Sequence, residues 1–155
     1  MWAMGAERED NVRAEAKIVY PKFWKRFCEK CGTIPKKMPT TGHYVGIPSS
    51  VEGVWFAFVV TLRKGARLEL YVDKHDECEN AAIFGKLKAR RAEIERAGGA
   101  ALVWHDGSKM GERRRRIDLN IETPGIADEG EWNTVIAAFL DIMPRFRNKI
   151  NELIK

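Results

Sequence analysis

The chain has 155 residues, 45% of them hydrophobic and 32% charged, the balance of one globular domain with a full-sized core rather than a disordered chain. No run of about 18 apolar residues occurs, so the sequence excludes a membrane-spanning helix, and no membrane partner is expected. A net charge of +5 favours anionic partners, and three cysteines, an odd number, do not suggest a disulfide framework. A cytoplasmic protein with reduced thiols is therefore expected.

Residues 1–19 are polar and alanine-rich without an apolar stripe, and read as a tail or N-terminal extension. MWAMGAEREDN lacks a basic region followed by an apolar block, which argues against a secretory signal. One α+β domain is expected over residues 20–155. Pro21 suits a first helical turn. Phe23, Phe27 and Cys31 then recur at i, i+4 and i+8, with Trp24 and Cys28 beside them, so a helix of about ten residues should stop at Gly32. TIPKKMPTTGHYVGIPSS is loop with a short edge strand near Tyr44 to Ile47.

VWFAFVVTL at 54–62 is apolar at both parities, as in a central strand covered on both faces. Arg63, Lys64 and Gly65 turn it back into RLELYVD, where Leu68, Leu70 and Val72 alternate with Arg67, Glu69, Tyr71 and Asp73. Asp76, with Glu79 three residues later, caps a long central helix in which Ile83, Leu87, Arg90 and Ile94 face inward; Gly98 and Gly99 end it. ALVWHDG is a short strand, and in ERRRRIDLNIE Ile117, Leu119 and Ile121 share one face while Arg114, Arg116, Asp118 and Asn120 share the other. Asp128 and Glu131 cap the last helix, whose stripe runs from Trp132 through Phe139, Met143 and Phe146 to Leu153, with an expected kink at Pro144. The order α-βββ-α-ββ-α predicts an antiparallel sheet of about five strands with helices mainly on one face.

Few residues suggest chemistry. Cys28-x-x-Cys31 and His75-x-x-Cys78 have the composition of a zinc site, but the first pair lies in an apolar helical face where cysteine acts as a small hydrophobe. No metal and no cofactor are expected. His105, Asp106 and Ser108 crowd one turn and read as polar turn residues rather than a relay. Glu69 and Asp73 would stand roughly 13 Å apart on their strand, too far for a glycosidase carboxylate pair. Arg90, with Glu69, Tyr71 and Asp73, is retained as a candidate ligand or ion-pair site. The strongest charge cluster is Lys109 with Arg113, Arg114, Arg115 and Arg116, a candidate phosphate-binding rim. No glycine-rich phosphate loop occurs.

YPKFW, LELYVD, NAAIFGKL with its later EIE, LVW, RIDLNIE and the W…F…M…F helix, taken in order from Tyr20 to about Leu153, resemble an uncharacterised α+β domain family of bacteria and archaea. Its members occur alone or C-terminal to regions that look like PD-(D/E)xK nucleases. The resemblance implies an accessory role in DNA metabolism or defence. The nuclease core is not expected here, because the acidic-x-Lys triplet Glu15-Ala-Lys17 lies in the N-terminal tail rather than on a strand. Two readings follow. One is a non-catalytic module binding nucleic acid non-specifically through the basic rim; the other is a protein-interaction domain. A small-molecule enzyme with a pocket near Arg90 is the third and minor one.

Overall fold

Strict alternation in two neighbouring strands decides the architecture. A computed structural model of the protein describes residues 2–31, 42–107 and 113–155, with side chains from residue 12 onward. Helix α1 spans Trp2–Cys31, followed by strands β1 (Tyr44–Pro48), β2 (Val54–Val60) and β3 (Ala66–Val72). Helices α2 (Glu77–Ala89) and α3 (Arg91–Gly98) come next, then β4 (Leu102–His105), β5 (Arg115–Ile121), a 3-10 turn at Glu129–Glu131 and α4 (Trp132–Ile154). The strands form one antiparallel sheet in the order β1-β2-β3-β5-β4.

Register places one apolar set from each strand on the same side. Phe56 and Phe58 of β2 lie opposite Leu70 and Leu68 of β3, which in turn face Ile117 and Leu119 of β5. Successive strand residues point to opposite faces, so these side chains form a continuous apolar layer. The helices cover it. Phe27 of α1 meets Phe58 and Phe139 edge-on, with centroids 4.9 and 5.9 Å apart, and Phe56 meets Phe146 of α4 at 5.7 Å. Trp132 anchors the start of α4 by donating from Nε1 to the Ile126 carbonyl at 2.7 Å.

Three local expectations are corrected. The first helix does not begin at Pro21: it runs continuously from Trp2 through that proline. Its front half is rich in alanine, glutamate and arginine, good helix formers, and Ala16, Val19 and Tyr20 pack against the core. The central helix is broken at Arg90, whose backbone N–H caps α2 through the Leu87 and Lys88 carbonyls. The buried residues of α2 are Asn80, Phe84 and Leu87, while Ile83 is only partly buried. Finally, β2 is buried at both parities, as expected, but it is not the middle strand. The central position belongs to β3. Helix α4 runs through Pro144 without interruption.

Phe139 is fully buried between α1 and the sheet. Phe139→Ala should cost on the order of 3–5 kcal/mol in urea denaturation; a loss below about 1 kcal/mol would mean that this contact does not hold the helices to the sheet.

Candidate functional site

The opposite face of the sheet carries the polar and aromatic residues. One row across the strands reads Pro48, Trp55, Tyr71, Arg116 and His105; the next reads Gly46, Ala57, Glu69, Asp118 and Val103. No helix among the described residues packs on this face: the ring contacts of α1 and α4 with the sheet are all to Phe56 and Phe58 on the other side.

Glu69 and Asp118 are buried on this face, as are Ala57 and Val59 beside them. Glu69 accepts from Arg67 Nε at 2.6 Å and from the Tyr71 hydroxyl at 2.7 Å. Asp118 Oδ2 accepts from Arg116 Nη2 at 3.2 Å and meets His105 Nε2 at 2.9 Å, while Arg116 Nε stands 2.9 Å from Oδ1. Burial, the hydrogen bond to Glu69 and the charge of Glu69 raise the Tyr71 pKa above its ordinary value, against a lowering influence from Arg116. Burial by itself would lower the Arg116 pKa, but Asp118 first and Glu69 second hold it above the usual arginine value, so it remains a cation.

Beside this network stands an aromatic column. Trp55 and Tyr71, cross-strand partners, stack with centroids 4.3 Å apart and planes 9° from parallel. The outer side of Trp55 lies against Gly46, where a Cβ would stand 3.3 Å from the indole, so glycine provides the seat. On the other side the Arg114 guanidinium carbon lies 5.6 Å from the Tyr71 centroid, a cation–π contact.

The arginine run divides by parity. Arg114 and Arg116 stand on the open face, Arg114 over Tyr71 and Arg116 on Asp118. Arg115 points to the helix side, 3.9 Å from Glu77, and donates to the Arg113 carbonyl at 2.7 Å. Arg113 is exposed and donates to the His75 carbonyl at 3.2 Å. Lys109 lies outside the described residues.

The other candidate group is not brought together. Glu69 and Tyr71 share the open face, and Asp73 is exposed beyond the end of β3. Arg90, expected to face inward, is instead exposed at the junction of α2 and α3, where it pairs with Glu93 at 2.6 Å; the broken helix turns it outward. Cys28 and Cys31 are partly buried, Cys78 is exposed, and no three His, Cys, Asp or Glu residues among those described are placed to hold a metal ion. Sequence reasoning missed His105 and Trp55. His105 closes β4, and its partner Asp118 is 13 residues away on the neighbouring strand. Trp55 was hidden in a run apolar at both parities, although its parity already set it on the face of Arg67, Glu69 and Tyr71.

The fold and this face define an α+β domain with a one-sided helix layer and an open face bearing an ion-pair network and an aromatic column. Residues 19–154 match the family described as Domain of unknown function (DUF4268), and the chain belongs to that family. No match was found among curated proteins or among solved structures.

Loss of the Tyr71 hydroxyl removes one bond to a buried carboxylate. Tyr71→Phe should therefore cost about 1 kcal/mol at neutral pH. A raised folded-state pKa contributes stability that is complete below about pH 10 and lost as pH climbs through the folded-state value. The variant should lose that part of the alkaline sensitivity. Urea midpoints falling equally with alkaline pH in both proteins would contradict this assignment.

Proposed function

We propose that this domain binds nucleic acid without cleaving it, as an accessory module that takes phosphates on a basic rim at the start of β5. One observation carries the reading: Arg113 and Arg114 are both exposed and stand on opposite sides of the sheet's end. Such a pair straddles the rim and can grip successive phosphates. Guanidinium groups suit this role, since they offer paired donors and are weakly hydrated. Two nearby carboxylates have partners of their own. Asp76 caps α2 by accepting from the Cys78 and Glu79 amides, and Glu77 faces Arg115. The net charge of +5 supports the same partner class, and the domain's resemblance to modules found behind nuclease-like regions adds a context in DNA metabolism or defence.

Arg115 and Arg116 have structural work, so they shape the rim rather than extend it. Reversing Arg116 would set a carboxylate beside Asp118 and disturb the fold, which makes Arg113 and Arg114 the informative pair. A protein partner on the open face is the second reading, favoured by Tyr44 and Val103, which are 47% and 41% exposed there.

Fluorescence anisotropy with labelled DNA should show weak, nearly sequence-independent binding that falls steeply with salt. Neutralising both residues (Arg113→Ala with Arg114→Ala) should reduce the log–log salt slope by about 1.4–1.8 with an unchanged circular dichroism spectrum. Absence of binding at low ionic strength, or tight salt-insensitive binding to a protein instead, would sink the proposal.

A further inference from the structure

We infer that two copies of this chain pair through the outer edge of β1, in one antiparallel register that joins Tyr44 of each copy to Gly46 of the other. The inference goes beyond the phosphate-binding reading and does not depend on it, since the basic rim lies at the start of β5. β1 is the end strand of the sheet, and among the described residues no strand continues the ladder beyond it. Its sequence, YVGIP, carries none of the charges that commonly keep an edge single.

The backbone bonds to β2 show which groups face outward. The Val60 amide donates to the His43 carbonyl at 2.9 Å, and the Ser49 amide donates to the Val54 carbonyl at 3.2 Å. Bonded and non-bonded pairs alternate along an antiparallel ladder. Val45 and Ile47 therefore bond β2, while the backbone groups of Tyr44, Gly46 and Pro48 turn outward. Both ends of this edge are closed. Pro48 has no N–H, its carbonyl accepts from Arg147 Nη2 at 2.9 Å, and the Gly42 carbonyl accepts from Trp24 Nε1 at 3.0 Å. Two donors and two acceptors remain, on Tyr44 and Gly46, and both residues are exposed.

These four groups are self-complementary. Two-fold pairing with Tyr44 opposite Gly46 of the second copy uses every one of them, with Val45 at the axis. Centring the axis on Gly46 instead would set Tyr44 opposite Pro48, which has no N–H to give and a carbonyl already taken. In the Tyr44–Gly46 register the next pair out is Gly42 with Pro48, and both carbonyls there are satisfied within their own chain. Side chains agree. Tyr44 is 47% exposed, and it would stand opposite a glycine, which leaves room for an aromatic ring. The two tyrosines then lie diagonally across the axis, about 7–8 Å apart and within reach of each other. No group of β1 is left for a third copy, so the pairing closes as a dimer. One strand from each copy makes a contact below about 1,200 Å², in the range of transient pairs.

The test is sedimentation velocity of the full chain over a concentration series, with amide hydrogen exchange followed by NMR on the same samples. The chain should pass from monomer to dimer below about 1 mM. Where about nine-tenths of it is dimer, the Tyr44 and Gly46 amides should exchange about tenfold more slowly than in dilute solution. The Trp104 amide is the control. It faces outward on the opposite edge strand β4, as the bond from the Leu102 amide to Glu95 shows, and its exchange should not change. Tyr44→Pro removes one outward N–H at the first position of the strand, where proline is tolerated. That variant should stay monomeric with an unchanged circular dichroism spectrum, and Tyr44→Phe, which keeps backbone and ring, should dimerise like the unmodified chain. A chain still monomeric at about 1 mM, or a dimer that slows Trp104 rather than Tyr44 and Gly46, would overturn the inference. Protection of those two amides by an added alternating Thr-Val peptide, in a chain that stays monomeric, would assign the edge to an extended partner and overturn it as well.

Discussion

Two carboxylates side by side are the constraint to which the open face answers. Glu69 and Asp118 are Cα partners on neighbouring strands, about 4.5–5.5 Å apart in an antiparallel ladder, and both are buried. Like charges directly opposite each other destabilise a sheet, and a buried charge is costly unless paired. Each strand supplies the remedy locally: β3 reads Arg67-x-Glu69 and β5 reads Arg116-x-Asp118. Because the strands run antiparallel, the two arginines fall on opposite sides of the acid pair, with Arg67 opposite Asn120 and Arg116 opposite Tyr71. Each acid is thus flanked by its own cation, the Tyr71 hydroxyl donates to the second oxygen of Glu69, and the His105 ring meets Asp118 Oδ2.

The aromatic column depends on that network. Glu69 fixes the Tyr71 hydroxyl, Tyr71 stacks on Trp55, and the indole lies close over Gly46, where a Cβ would make a tight contact. Both oxygens of Glu69 are occupied by donors, whereas at Asp118 Oδ2 accepts from Arg116 and meets His105, and Oδ1 has the Arg116 charge 2.9 Å away without a hydrogen bond.

Legibility in the sequence followed the range of the interactions. Alternation in β3 and β5 is local, so the strands, their faces and the parity of the arginine run could be read directly. The stripe of α4 is equally local and correctly marked Trp132, Phe139, Met143 and Phe146 as core. Long-range facts were not legible. Arg90 was placed inward by assuming an unbroken helical period, and a break at that very residue turned it to solvent. The front half of α1 has no apolar stripe, so its continuity through Pro21 rests on propensity and a few packed residues. His105 read as a turn residue because nothing near it in sequence shows that Asp118 will lie beside it.

The register between β3 and β5 shows which force prevails. Sliding β5 by two residues would set Glu69 opposite Arg116 and Arg67 opposite Asp118, a better match of charges on the open face. It would keep every residue on its present face. It would also move Arg115 from its place opposite Val72, where Glu77 of α2 meets it, to a place opposite Leu70 beneath the helices. An uncompensated charge there costs on the order of 3–5 kcal/mol. Opposed acids cost about 0.2–1 kcal/mol as cross-strand neighbours, and because both are buried it is their ion pairs with Arg67 and Arg116 that keep that cost low. The apolar layer therefore sets the register, and the acid pair with its flanking arginines, its tyrosine and its histidine is the polar arrangement which that register leaves on the open face.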